Sequence, residues 1–166
     1  METLESVNTG NVKYAGFWFR FIGYIIDDIL LSIIGFVISL PFIGTIIFSG
    51  IALSDIDNCE EKTFLGIAGI VGVVLLLVIT ITTVSWLYFA LMESSKQQAT
   101  LGKMALGLKV TDMEGNKISF GRATGRYFGK ILSGMIFMIG YILAGLTEKK
   151  QALHDMIAGC LVIRKD

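Results

Sequence analysis

The stretch from Phe64 to Leu91 contains no charged side chain. A bilayer's hydrocarbon core is about 30 Å thick, and a helix needs about 20 mostly apolar residues to cross it. This stretch is long enough to do so. The whole chain is 54% apolar with a mean hydropathy of +0.71, above ordinary soluble usage. A soluble fold of this composition would lack the polar surface to cover itself, whereas a membrane protein needs none in the lipid belt.

Two further segments have spanning length. The first runs from Phe17 to Leu40 and is expected to end at Pro41, the single proline, although apolar residues continue to Leu53. The other runs from Tyr127 to Leu146 and carries one charge, Lys130. The chain is short enough for one domain, residues 1–166. Its first residues lack the apolar core and small-residue cleavage site of a signal peptide, so the first apolar stretch is expected to remain as an anchor.

Loop charge sets orientation. Residues 54–63 are acidic, with Asp55, Asp57, Glu60 and Glu61 against Lys62. The loop 93–126 is basic, with Lys96, Lys103, Lys109, Lys117, Arg122 and Arg126. Positive loops stay on the cytoplasmic side. That places the basic loop inside, the acidic loop outside, and the N-terminus of a multi-pass cell-membrane protein in the cytoplasm. Trp18, Trp86, Tyr88, Tyr127 and Phe128 then all fall at the inner interface, where aromatics concentrate.

The C-terminus conflicts with three simple crossings. It carries Lys149, Lys150, Arg164 and Lys165, which favour the inside. "LGLKVTDMEGNKISF" predicts two short strands about a turn at Glu114-Gly115-Asn116, and "GCLVIRKD" predicts another. A two-stranded ribbon is marginal alone, so pairing of the last strand with the loop hairpin is favoured. Both must then lie on one side. The third segment either crosses or turns back, with Gly134 and Gly140 as candidate breaks. The expected class is an all-α membrane protein with two transmembrane helices, a third membrane segment that is crossing or re-entrant, and a small cytoplasmic β-element.

The first segment also contains Arg20, Asp27 and Asp28. Helical spacing predicts a polar stripe of Arg20, Tyr24 and Asp27, with Asp28 turned toward a neighbour. A charge at the centre of a span costs roughly 2.5–3.5 kcal/mol, so these groups must be compensated or functional. Arg20 can neutralise one aspartate. Arg126 or Lys130 can reach the other, since Arg122, Arg126 and Lys130 share a helix face. Gly121, Gly125, Gly129 and Ser133 beside them form a small-residue stripe that allows close helix approach. A carboxylate left uncompensated in lipid holds a proton or binds a cation, which is what a cation/proton exchanger requires.

Other chemistries lack support. Zero net charge gives no pull toward nucleic acid. Cys59, Cys160 and a single histidine make neither a metal site nor a disulfide framework, and no cofactor is implied. "TLGKMALG" is not a phosphate-binding loop, because Gln97 stands where the first glycine belongs. His154 and Asp155 are adjacent and no nucleophile points to them; His154 reads as a hydrogen-bonding structural residue. The second span supplies no acid for an aspartyl protease pair. No enzyme is expected.

Four blocks carry a family resemblance across nearly the whole chain. They are "AGFWFRFIGYIIDD"; "ESSKQQATLGKMALGLKVTDMEGNKISF" with Glu93, Thr100, Gly102, Lys103, Gly107 and Val110; "RYFGKIL" with Arg126; and "ALHDMIAGCLVIRKD" with His154, Asp155, Gly159 and Val162. In this order they resemble the RDD family of small prokaryotic membrane proteins, named for one arginine and two aspartates, matched here by Arg20, Asp27 and Asp28. The chain departs from the family pattern at Cys160, commonly threonine, and at Ala99, usually polar. The resemblance implies a charged set of Arg20, Asp27, Asp28, Glu93, Lys103, Arg126 and Asp155, to which the charge pattern adds Lys130. It implies either transport of ions or small solutes, since some members resemble cation/proton antiporters, or an accessory role beside a membrane enzyme such as a protease. Transport is the leading expectation, with a monovalent cation and a proton as cargo and a homo-oligomer to form the pathway. A regulatory subunit bound to a membrane-protein partner is the alternative.

Overall fold

The computed structural model describes residues 13–54, 60–135, 143–145 and 147–164. The centre of the acidic loop, with Asp55 and Asp57, lies outside the described residues, as does Gly140. The chain divides into two compact units, one comprising residues 28–87 and the other residues 1–27 with 88–166.

Residues 28–87 carry most of two long helices, α1 (Phe17–Ser54) and α2 (Glu60–Glu93). Both have the length and composition to cross a membrane. Their apolar side chains point outward: Ile33, Phe36, Phe48 and Phe64 are all more than 60% exposed, as lipid-facing groups must be. The expected end of the first segment at Pro41 is corrected, because α1 continues through it to Ser54. Proline costs an amide donor but is tolerated in apolar spans, where hydroxyl side chains re-satisfy the freed backbone groups.

The other unit begins with the N-terminal turns of α1 and the end of α2. It continues through α3 (Leu101–Ala105), β1 (Leu108–Asp112), α4 (Phe120–Met135), α5 (Leu153–Ile157) and β2 (Cys160–Arg164). The two strands pair antiparallel, with Val110 opposite Val162 and Asp112 opposite Cys160. This is the expected pairing of the last strand with the loop. The second strand of the loop hairpin reduces to a single bridge, Thr111 with Lys117. Its turn is held by Asp112 Oδ1, which accepts from the Glu114 and Asn116 amides at 3.0 and 2.7 Å.

A short helix, a glycine and a strand occur twice: α3–Gly107–β1 and α5–Gly159–β2. Both glycines have positive φ, +65° and +60°, which L side chains rarely adopt. The residue before each unit is also left-handed at matching places, Gln98 and Lys150. Val110 and Val162 hold the same position in their units and pair with each other, so an approximate two-fold axis passes between them. The bridges obey it: Lys117, before α4, pairs with Thr111 of β1, and Tyr14, before α1, pairs with Ile163 of β2.

The third apolar segment does not appear as a third span among the described residues. Its described part, α4, has 16 residues, about 24 Å at 1.5 Å per residue. The chain then returns to place β2 on β1.

Candidate functional site: a buried charge network and a carboxylate cap

The N-terminal turns of α1 present Arg20, Gly23 and Asp27 inward. This corrects the stripe expected from sequence. Tyr24 is 46% exposed, and Gly23 takes its place because the backbone of α3 comes so close there.

Asp27 is fully buried and caps α3. Its Oδ1 accepts from the Gly102 amide at 2.8 Å and from the Tyr88 hydroxyl at 2.8 Å, and its Oδ2 accepts from Thr100 Oγ1 at 2.5 Å. Tyr88 Oη in turn accepts the Leu101 amide at 3.1 Å. A helix start leaves amides without internal partners. The Thr100 side chain makes no capping bond of its own; a carboxylate from another helix serves instead. "Thr-Leu-Gly-Lys" is therefore an acceptor-docking turn.

Arg20 does not neutralise Asp27. Its Nη1 makes a close ion pair with Asp155 Oδ2, its Nε donates to the Ala15 carbonyl at 2.9 Å, and its Nη2 donates to the Lys150 carbonyl at 2.5 Å. Arg126, 2% exposed, donates through Nε to Asp155 Oδ1 at 2.7 Å. Arg126 Nη1 also lies 2.7 Å from Glu93 Oε2, an ion-pair distance without good hydrogen-bond alignment. Lys103 donates to Glu93 Oε1 at 2.5 Å, and Lys130 Nζ lies 3.6 Å from that oxygen and 3.9 Å from the Phe89 ring centre. The result is a chain of alternating sign, Arg20–Asp155–Arg126–Glu93–Lys103, that ties together α1, α2, α3, α4 and α5.

Six of the residues singled out from sequence thus join one network, and Asp27 lies in the adjoining cap. Asp28 belongs to neither: it is exposed, in the other unit. Arg126 pairs with Asp155 and Glu93 rather than with the aspartates of α1, whereas Lys130, 3.6 Å from Glu93, is also attracted by the Asp27 carboxylate. The small-residue stripe divides. Gly129 is buried against His154, while Gly121 and Gly125 are exposed. Arg122 reaches only Asp112, at 3.9 Å. Tyr88 and Gly23 were not legible as site residues, because neither is charged and their partners lie far along the chain.

His154 is buried beside Asp155, with Ser133 Oγ 3.4 Å from its Nδ1. Burial pushes its pKa down to about 3. Asp155 pulls the other way, and Arg126, Lys130 and Lys103 add to the lowering. Burial opposes ionisation of Asp155, but Arg126, then Arg20, hold its carboxyl well below the usual carboxylate range. The unfolded chain therefore binds more protons than the folded one from pH 6.5, the ordinary histidine value, down to about 3. Stability should fall with acidification across that window, at a limiting slope of about 1.4 kcal/mol per pH unit per group. The Asp155 contribution is lost only below its ordinary value of 3.8. In detergent unfolding titrations, His154→Gln should flatten the slope between pH 6 and about 4. An unchanged slope would show that His154 is not the group taking up the proton.

Comparisons with known proteins give the chain's relatives and its family. No solved structure gives a significant match. The chain is 39% identical over 153 residues to the uncharacterized protein YxaI of Bacillus subtilis, covering 92% of this chain and 99% of the relative. It is 29% identical over 160 residues to the uncharacterized membrane protein YteJ of the same organism, covering 92% and 82%. The RDD family model matches residues 14–159, a range that contains the cap and every member of the charge network. With that match over most of its length, this chain belongs to the RDD family.

Proposed function

We propose that this chain is a non-catalytic accessory protein of the membrane, a two-span anchor carrying a rigidly clamped module for a membrane-protein partner. One observation carries the reading: every buried carboxylate of the site is already engaged by the protein's own donors. Asp27 accepts three hydrogen bonds, Asp155 is held by two arginines, and Glu93 is held by Arg126 and Lys103. A carboxylate that exchanges a proton for a cation must present free lone pairs to both. These present them to the protein's own donors.

The spans support the same reading. Residues 29–53 and 64–92 carry no charge, and each exceeds the roughly 20 residues a crossing needs. The hydrocarbon core can be crossed without Arg20, Asp27 or Asp28 entering it. The network then lies at the inner boundary as a structural clamp, in a multi-pass protein whose N-terminus is cytoplasmic.

Lys103 favours a second reading. Burial, and next the Arg126 guanidinium, push its ammonium down to about 7 against the pull of Glu93. A buried group titrating near neutrality could serve proton-coupled transport of a monovalent cation, in a homo-oligomer that supplies the pathway.

Reconstitution separates the two. Liposomes containing only the purified chain should show no proton movement in response to sodium, potassium or lithium pulses. Asp27→Asn should leave that result unchanged and should lower stability by only about 1 kcal/mol, because Asn keeps an oxygen for the Gly102 amide and the Tyr88 hydroxyl, its amide nitrogen can donate to Thr100 Oγ1, and only the charge assistance is lost. Cation-driven flux in the native chain that disappears in a folded Asp27→Asn or Lys103→Met variant would overturn the accessory reading.

A further inference from the structure

The two-fold repeat seen in the short helices and strands extends to the helices before them. In α1, Arg20, Gly23 and Asp27 face inward. In α4, Arg126, Gly129 and Ser133 stand at identical spacing and are likewise buried. The contacts repeat too. A Cβ on Gly23 would meet the Gly102 carbonyl group at 3.6 Å, and one on Gly129 would meet His154 Cα at 3.3 Å. Gly102 and His154 hold the same place in α3 and α5. Asp27 bonds to Gly102, and its counterpart Ser133 sits against His154.

The outward faces correspond as well. Ile22, Ile25 and Ile26 of α1 are 45%, 39% and 36% exposed, and at the matching positions of α4 stand Phe128, Ile131 and Leu132, at 53%, 49% and 46%. α4 is thus polar inward and apolar outward, the reverse of a helix on a soluble protein. On α1 that apolar face runs directly into the charge-free span. α4 repeats the face over its 16 residues, and α5, packed on it, exposes Met156 and Ile157.

We propose that the Phe128–Ile131–Leu132 face of α4 lies in the headgroup–acyl boundary of the inner leaflet. α4 would then be a membrane-interface helix rather than part of a crossing. The occupant is lipid because the face reproduces, residue for residue, the one with which α1 enters the bilayer. The same unit is tethered to the membrane at two points of the chain, Asp27–Asp28 and Leu87–Tyr88. A helix carrying an apolar face and a charged face lies in the interface plane, buried about 5–10 Å. Here the charged face is satisfied by the protein's own network.

The test uses the full chain in phosphatidylcholine vesicles. Trp18 and Trp86 are first replaced by phenylalanine, and one tryptophan is introduced, as Phe128→Trp or Ile131→Trp. Acyl chains brominated near the headgroup should quench both strongly, and chains brominated near the terminal methyl should quench both weakly. Stronger quenching of Ile131→Trp by the deep bromines would overturn the proposal in favour of a crossing helix. Absence of quenching at either depth would place the face in water or beneath a protein partner, and would equally overturn it. On the unmutated chain, a phosphatidylcholine with a photoreactive group near its headgroup should label the peptide holding Phe128 to Leu132. Failure to label it would tell against the proposal even if neither tryptophan variant folded. Neither readout depends on whether the chain transports ions.

Discussion

Arg126→Ala should cost about 3–5 kcal/mol, the range found when one partner of a buried ion pair is removed. Arg126 is the middle cation of the network. Its Nε holds Asp155 and its Nη1 faces Glu93, both at 2.7 Å, and all three groups are buried. Truncation leaves Asp155 with Arg20 and leaves Glu93 with lysines alone. It also opens a cavity the size of a guanidinium between α4 and α5. Arg126→Lys should recover only part of the loss. A single ammonium cannot face two carboxylates as a planar fork does. Denaturant unfolding in detergent micelles reads the difference. A cost below about 1 kcal/mol, the value of an exposed pair, would show that the network is water-filled rather than dry. Arg122→Ala on the same helix, with its 3.9 Å contact to Asp112 and a half-exposed side chain, should cost no more than that.

Gly102→Ala is the second large effect. A Cβ at Gly102 would drive into the Gly23 carbonyl oxygen and come within 2.9 Å of Asp27 Cγ. The first is backbone and cannot rotate away. α3 must therefore withdraw from α1, and withdrawal breaks the Gly102–Asp27 bond. Overpacking typically costs about 1–3 kcal/mol, and the exposed acceptor adds about 1–3 kcal/mol. Gly125→Ala is the matched control. Nothing lies within 4 Å of its Cβ position, and alanine is the better helix former by about 1 kcal/mol. It should be neutral or stabilising. Equal stability of the two variants would refute the close approach of α3 to α1.

The origin of the network explains how far the sequence could be read. Charges in apolar segments are costly, so Arg20, Asp27, Glu93, Lys103, Arg126, Lys130 and Asp155 stood out before any contact was known. Their pairing did not follow. The nearest opposite charges along α1 are Arg20 and Asp27, on one helix face, yet Arg20 finds Asp155 at the far end of the chain. Spacing along one helix reports which residues share a face; it does not report which other helix covers that face. Tyr24 has the right spacing for the stripe and is excluded because α3 needs a glycine, Gly23, beside it. The repeat was hidden for a related reason. Its halves share few identical residues, and residues 28–87 interrupt the first of them.

Composition and charge pattern by themselves determined that this is a membrane protein with two apolar helices. They also marked the end of the chain as a strand that returns to the central loop. The spans follow from transfer free energies, which add residue by residue along the chain, and the strand follows from local strand and turn signals. Tertiary structure alone decided that Asp27 caps α3, that Arg20 belongs to Asp155, and that α4 turns Arg126 and Lys130 inward and Phe128 and Ile131 outward. Those outcomes depend on which buried donor meets which buried acceptor. That is a property of the assembled helices, fixed only when all of them are in place.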